Sequence, residues 1–369
     1  MYGFLKKRHQ IVAFVVLAFI LGCMFTIAIM PIDRSCKIEQ TDKEFNIMKN
    51  SKFKSPEVII LILSAPNNYN KRKTVRETWL KLEDNSENIN KRFNYKHYFV
   101  IGTLFLPTRE SKKIEEEQLL HKDILLLPIQ DSYKNLIEKI KYSFHWLDTQ
   151  FNYGLNFKYV LKCDDDSFVN LNKLMLELTH IENNYLKISS TMNDLKTNII
   201  STNYQMGNKK PIDLYWGYFN GNARIKTKGK WKETNWIACD RYVPYALGGG
   251  YMLSKGLISY ISKNMEDLKS FNSEDISVGF WLSPVANILR IHDIRFDTEW
   301  TSRGCKNHHL ITHNISPNEM KILYNNLLQT NQMCIHESTK RHDYIYDWNV
   351  PPSLCCKTSQ EKVIKLEKI

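Results

Sequence analysis

Residues Val58–Leu63 (VIILIL) form an unbroken apolar, largely β-branched run, the pattern of a strand buried on both faces. A strand with no polar face must be covered above and below, which restricts the chain to layered α/β architectures. The sequence then keeps alternating, with a helix over 71–82, a strand over 98–104, a helix near 111–121, a strand over 124–127 and a helix from Ser132 to about Phe151. In the last of these, Leu136, Ile140, Phe144 and Leu147 recur at the spacing of one helical face. A strand over 157–162 follows and runs straight into CDDDSF at 163–168. This alternation predicts a mainly parallel sheet with helices on both faces and a ligand site at the carboxyl ends of its strands, where the triple aspartate sits. The second half is less regular, with aromatic-rich stretches at 214–219 and 231–245 and helical signals at 255–263 and 275–281. No internal repeat occurs and no GxGxxG follows a strand, which sets aside solenoids and dehydrogenase-type nucleotide folds.

Residues 11–30 are an uncharged apolar run of 20 residues, long enough as a helix to cross a hydrocarbon core ~30 Å thick. Lys6, Lys7, Arg8 and His9 precede it, so the N-terminus is expected in the cytosol and the remainder in a lumen, a single-pass type II anchor. A cleaved signal peptide fits less well, because its apolar core is usually ~7–15 residues. The expected organisation is a cytoplasmic tail at 1–10, the anchor at 11–30, a polar stem at 31–55 and a folded domain at 56–369. An oxidising lumen suits disulfides among Cys36, Cys163, Cys239, Cys305, Cys334, Cys355 and Cys356, although spacing does not reveal their pairing. No CxxC pairs accompany Cys355 and Cys356, which argues against a zinc module. The net charge of +12 favours polyanionic surroundings. Its basic residues are dispersed and lack zinc-finger or basic-helix spacing, so nucleic acid is not an expected partner. Asn314-Ile-Ser316 is a glycosylation sequon, followed by Pro317.

Three carboxylates at the end of an apolar strand repel one another unless a cation neutralises them. In an extended segment Asp164 and Asp166 share one side and can hold a metal, leaving Asp165 for another partner. An oxygen-rich set of this kind suits Mg²⁺ or Mn²⁺ bridging a diphosphate. Arg72 and Arg76 lie four residues apart on one helical face and are candidates for nucleotide phosphate or base, with a salt-bridged surface helix as the plainer reading. Gly248, Gly249 and Gly250 leave room for a bound sugar or phosphate. Glu274 and Asp275 open a helix, where one carboxylate can serve as a general base. His313 ends a short apolar stretch and can complete a metal site, with His292 as its competitor.

These segments together resemble the β-1,3-glycosyltransferase family. The resemblance rests on KRKTVRETW at 71–79, YVLKCDDDSF at 159–168, YALGGGYMLS at 245–254, EDISVG at 274–279 and HNISPNEM at 313–320. It covers the chain from about Val58 to Cys356. The segments 291–305, 281–284 and 344–356 are similar to the branch that builds the glycosaminoglycan linkage region. The resemblance implies a GT-A-like nucleotide-sugar-binding fold, UDP-galactose as donor, Mn²⁺ as metal and inversion at the anomeric carbon. It also implies Galβ1-4Xyl on a proteoglycan core protein as acceptor, residence in the Golgi membrane and association with other linkage-region transferases. By the same resemblance Asp164, Asp166 and His313 hold the metal, and Asp275 is the base. Arg72, Arg76, Lys162, Asp164, Asp165, Gly249, Gly250 and Glu274 bind the donor. The aromatic second half shapes the acceptor side.

Overall fold

The structure is a computed structural model that describes residues 57–82, 94–186 and 212–356. All of them lie in one compact unit, Ser55–Ile369. The expected tail, anchor and stem, with Cys23 and Cys36, lie outside the described residues. Among the described residues no helix is long and apolar enough to cross a membrane.

The all-buried run Val58–Leu63 is strand β1. It pairs in parallel with β2 (Tyr95–Gly102) on one side and β4 (Tyr159–Asp164) on the other, and β2 pairs in parallel with β3 (Ile124–Leu127). The sheet continues through β7 (Tyr245–Ser254), β6 (Asp213–Asn220) and β8 (Ile288–His292), giving seven strands in the order β3-β2-β1-β4-β7-β6-β8. Only β7 runs against its neighbours. Its first residues therefore lie at the edge where β1, β4 and β6 end, and Gly250 faces Cys163 in the register.

Alternation along each strand feeds two cores. Ile60, Ile62, Leu161 and Cys163 pack on one face with helices α1 (Tyr69–Glu77), α2 (Thr108–His121) and α4 (Leu171–Ile181). Ile59, Leu61 and Val160 pack on the other with α3 (Leu136–Asn152), α5 (Lys255–Lys263) and α6 (Glu274–Leu282). Ile140, Phe144 and Leu147 of α3 are fully buried there, as their spacing predicts. A second sheet of three short strands orders β5 (Phe168–Val169), β10 (Ile311–Thr312) and β9 (Phe296–Asp297), and carries the next residue, His313, to the end of β4.

The departures from expectation have local causes. The predicted helix over 71–82 stops at Glu77, because Thr78 takes φ −117° and ψ −107°, and resumes as a 3-10 turn at Trp79–Lys81. The predicted helix from Ser132 begins as a 3-10 turn at Tyr133–Asn135 before α3. The aromatic stretch at 214–219 and the triple glycine are full strands of the central sheet. Helix α7 (Pro317–Thr330) opens with Ser316 and Glu319 in a capping box. Disulfides join Cys305 to Cys334 and Cys355 to Cys356, while Cys163 is free and buried and Cys239 free and exposed.

Candidate active site

A cleft of about 700 Å³ opens where β1 and β4 end, lined by Ser64, Asn68, Asp164, Asp165 and Asp166 and by the start of β7. That volume lies inside the ~300–1,000 Å³ typical of ligand pockets. Asp164 closes β4, and Ser167 N donates to its carbonyl at 3.1 Å, so residues 165 and 166 form a turn. The expected extended segment is therefore bent, and it is this turn, rather than strand alternation, that aims Asp164 and Asp166 at the same point. One ligand atom from each, and one from His313, lie within 4.8 Å of one another. His313 Nε2 is 3.5 Å from Asp164 Oδ2 and 3.3 Å from Asp166 Oδ1. Its Nδ1 lies 3.1 Å from the carbonyl of Glu299, an acceptor that takes the Nδ1 proton and directs Nε2 at the carboxylates. Asp166 Oδ1 is buried without a hydrogen bond. Two carboxylates, one imidazole and one unsatisfied buried oxygen fit a divalent cation of the manganese or magnesium kind.

Electrostatics point the same way. Burial opposes charge on His313, but Asp164 and Asp166 outweigh it and push the imidazole up to about 10. The protonated ring supplies the positive charge that a cation would bring. Burial likewise opposes charge on Asp164, yet Lys162 and His313 hold its carboxyl well below the usual range.

Lys162 is 2% exposed and projects from β4 to the far side of this cluster. Its ammonium donates to Asp164 Oδ1 at 2.9 Å, to Glu274 Oε1 at 2.7 Å and to the Gly248 carbonyl. Glu274 also accepts from the Tyr251 hydroxyl at 3.0 Å, and burial pushes it up to about 7 against the pull of Lys162. Asp275, the next residue and about 100° further round the helix, lines the cleft as Glu274 does but takes different partners. Its Oδ2 accepts from Gly248 N at 3.0 Å and its Oδ1 from Ile276 N at 2.9 Å. Burial raises its pKa, Lys162 lowering it less.

The glycines are explained by close approach. A Cβ on Gly249 would stand 2.6 Å from His313 Cγ, and one on Gly248 would stand 2.8 Å from Glu274 Oε1. Gly250 faces Ile311, whose Cδ1 would lie 3.0 Å from an added Cβ. Asp165 turns back onto the first βα unit, accepting from Ser64 Oγ at 2.7 Å and Asn68 Nδ2 at 2.8 Å.

Arg72 and Arg76 lie elsewhere. Neither is among the residues lining the cleft. Arg72 is fully buried and pairs with Glu117 at 2.7 Å, while its Nη1 donates to Ser64 Oγ at 3.0 Å. Arg76 pairs with Glu117 at 2.8 Å and Asp123 at 2.7 Å. Both partners lie on or just after α2, an element whose position no local pattern in α1 reveals. Through Ser64, Arg72 braces Asp165 from beneath. His292 lies in β8, where Phe219 N donates to its Nδ1 at 3.0 Å and its Nε2 meets the Tyr344 carbonyl at 2.8 Å. That neutral ring, pushed down to about 4 by burial, is not a cleft residue.

Sequence reasoning gave no role to Lys139, which lines the cleft, or to Lys71, which is outside its lining but reaches Asp166. Lys71 donates to Asp166 at 2.9 Å, and Lys139 to Asp131 at 2.6 Å and the Ser64 carbonyl at 2.7 Å. Lys71 stands in the same helix as the two arginines, and only the third dimension tells which of the cations turns toward the aspartates.

A carboxylate-histidine triad beside a separately held carboxylate can anchor a diphosphate at one point and accept a proton at another, the equipment of a nucleotide-sugar transferase. The sequence model of the family described as Galactosyltransferase matches residues 70–293. A mouse protein named Beta-1,3-galactosyltransferase 6 is 39% identical over 304 residues, which cover 82% of this chain and 82% of that protein. An Arabidopsis protein named Hydroxyproline O-galactosyltransferase GALT6 is 29% identical over 74% of this chain and 35% of its own length. A solved glycosyltransferase involved in glycosylation of the PBCV-1 major capsid aligns with 72% of this chain at 15% identity and a TM-score of 0.33, too low to bear on the fold. The chain belongs to the galactosyltransferase family. Its mixed, mostly parallel sheet with aspartates at a strand end is the α/β, GT-A-like arrangement implied by that membership.

Two outcomes are expected. Arg72→Met leaves Glu117 buried with one partner fewer, and should lower unfolding stability by about 3–5 kcal/mol in urea titration. Divalent cation binding requires His313 to give up its Nε2 proton, so affinity for Mn²⁺ should rise with pH until the ring's own pKa of about 10 is passed. Calorimetry in buffers of different ionisation enthalpy should register the proton released at neutral pH.

Proposed function

We propose that this chain is an inverting, metal-dependent β-1,3-galactosyltransferase that uses UDP-galactose. The observation that carries the reading is the pairing, in one cleft, of the Asp164, Asp166 and His313 triad with Asp275 at the head of α6. The 39% identity to a protein named Beta-1,3-galactosyltransferase 6 supports both the sugar and the linkage.

Asp164, Asp166 and His313 would hold Mn²⁺ or Mg²⁺, which when bound neutralises the diphosphate of the donor and eases its departure. Asp275 takes the proton from the acceptor hydroxyl as that oxygen attacks the anomeric carbon. Two backbone N–H groups fix the orientation of its carboxylate, and burial makes it a better proton acceptor than a surface aspartate. Lys162 holds Asp164 and Glu274 in place, and Glu274 in turn carries the first turn of α6. Attack from the Asp275 side with departure on the triad side exchanges one face of the anomeric carbon for the other, which is inversion.

The finer reading extends to the acceptor. Segments 291–305 and 344–356 resemble the branch acting on the glycosaminoglycan linkage region, so the proposed acceptor is the galactose of Galβ1-4Xyl on a proteoglycan core protein. The proposed setting is the Golgi membrane, with residues 11–30 as a type II anchor and other linkage-region transferases as neighbours.

The test is transfer from UDP-galactose to a Galβ1-4Xyl glycoside by the fragment from Asp33 onward. A β1,3-linked product that vanishes on chelation is expected. Asp275→Asn should reduce kcat by on the order of 10²–10⁴ without weakening donor binding, whereas Asp166→Asn should raise the metal requirement. No product from any β-galactoside, despite bound UDP-galactose, would defeat the reading.

A further inference from the structure

Beyond the triad and the base, the cleft has an aromatic end that the reaction just described leaves without a task. Lys230 stands among three rings, its Nζ lying 3.8 Å from the centre of Trp300, 4.4 Å from Trp231 and 5.2 Å from Tyr133. The two indoles meet edge to face at 5.5 Å and 79°. All four residues line the same cleft as Asp275. Trp300 nevertheless leaves 58% of its surface exposed and Tyr133 leaves 42%, so these rings are held in place without being buried. An indole kept rigid but wet is poor use of a core residue, and it is how proteins prepare an anchoring surface for a ligand.

The group is tied to the histidine of the triad through the backbone and shares its cleft with Asp275. On one side, Trp300 follows Glu299, whose carbonyl takes His313 Nδ1, and the Trp300 carbonyl accepts from Asn314 Nδ2 at 3.1 Å. The backbone that aims the metal-ligating histidine therefore also sets the indole. On the other side, burial and then the charge of Asp275, ahead of Glu274 and Asp164, push the Tyr133 phenol up to about 12. Tyr133, Trp231 and Trp300 line the same cleft as Asp275, the residue proposed to receive the acceptor's proton. Lys230 has rings on three sides, and its cation-π contacts hold the indoles at their mutual angle.

We propose that Trp300 and Trp231, set by Lys230, form the acceptor subsite and stack on the apolar face of a β-galactoside. Galactopyranose suits such a surface, because its axial 4-hydroxyl leaves one face of the ring to C–H groups at carbons 3, 4 and 5. Stacking on that face leaves the 3-hydroxyl at the ring edge, free to turn toward Asp275. This inference rests on the galactosyltransferase reading above and names the part of the site that chooses the acceptor.

The test measures KM for the acceptor and for UDP-galactose separately in Trp300→Ala, Trp231→Ala and Lys230→Met. Trp300→Ala should raise the acceptor KM on the order of tenfold or more, while the donor KM stays within about twofold. The unchanged donor KM also reports that the variants are folded. Trp300→Phe, which keeps a ring, should recover part of the loss. If the wild type transfers galactose and all three variants keep its acceptor KM, or if the donor KM rises instead, the subsite assignment is overturned while the activity stands. A wild type that transfers to no galactoside overturns both.

Discussion

One buried ammonium holds the site together. Lys162 has left water almost completely, and a cation so placed is tolerable only because three oxygens from three different parts of the chain surround it. Those oxygens belong to Asp164 at the end of β4, to Gly248 in β7 and to Glu274 at the start of α6. The charge therefore ties together strand β4, which ends at Asp164, strand β7, which runs against its neighbours in the central sheet, and helix α6, which opens with Glu274 and the proposed base Asp275. Moving any of the three would leave the ammonium short of an acceptor, so this one interaction sets the separation of the triad from Asp275.

The surrounding charges follow from this centre. Asp164, Asp165, Asp166, Glu274 and Asp275 are five carboxylates around one end of the sheet, and Lys71, Lys162 and His313 lie against them. Asp165 is satisfied by Ser64 and Asn68 and thereby withdrawn from the metal side. What remains is a pocket that presents two carboxylates and an imidazole at one point and the Asp275 carboxylate at another. On the proposed reading, a cation-bound diphosphate matches the first point and an acceptor hydroxyl that gives up its proton matches the second.

Much of this was written locally. The unbroken apolar run of β1 and the helical spacing in α3 place those elements without further help, and the aspartates fall at a strand end because the preceding residues are a strand. Asp275 and His313 came from their motifs and lie in the cleft. The fate of Arg72 and Arg76 was not local, since their partners Glu117 and Asp123 are some 40 to 50 residues away and a four-residue spacing looks the same whether the face meets a ligand or another helix. The triple glycine was harder still. Glycine weakens a strand by propensity alone, and what requires glycine there is close approach, by Glu274 at Gly248, His313 at Gly249 and Ile311 at Gly250.

The parts of the cleft also differ in when they can exist. The aspartates lie at 164–166, strand β7, whose Gly248 accepts from Lys162, ends at Ser254, the proposed base is residue 275 and the last of the proposed metal ligands is residue 313. A chain made from its N-terminus thus carries its acidic cluster for the length of about 150 further residues before His313 can reach it. Closing contacts that far apart in sequence is slow compared with forming helices. The four-strand parallel half can assemble first, so a truncated or stalled product has the acids but lacks the histidine that lies against them in the finished fold.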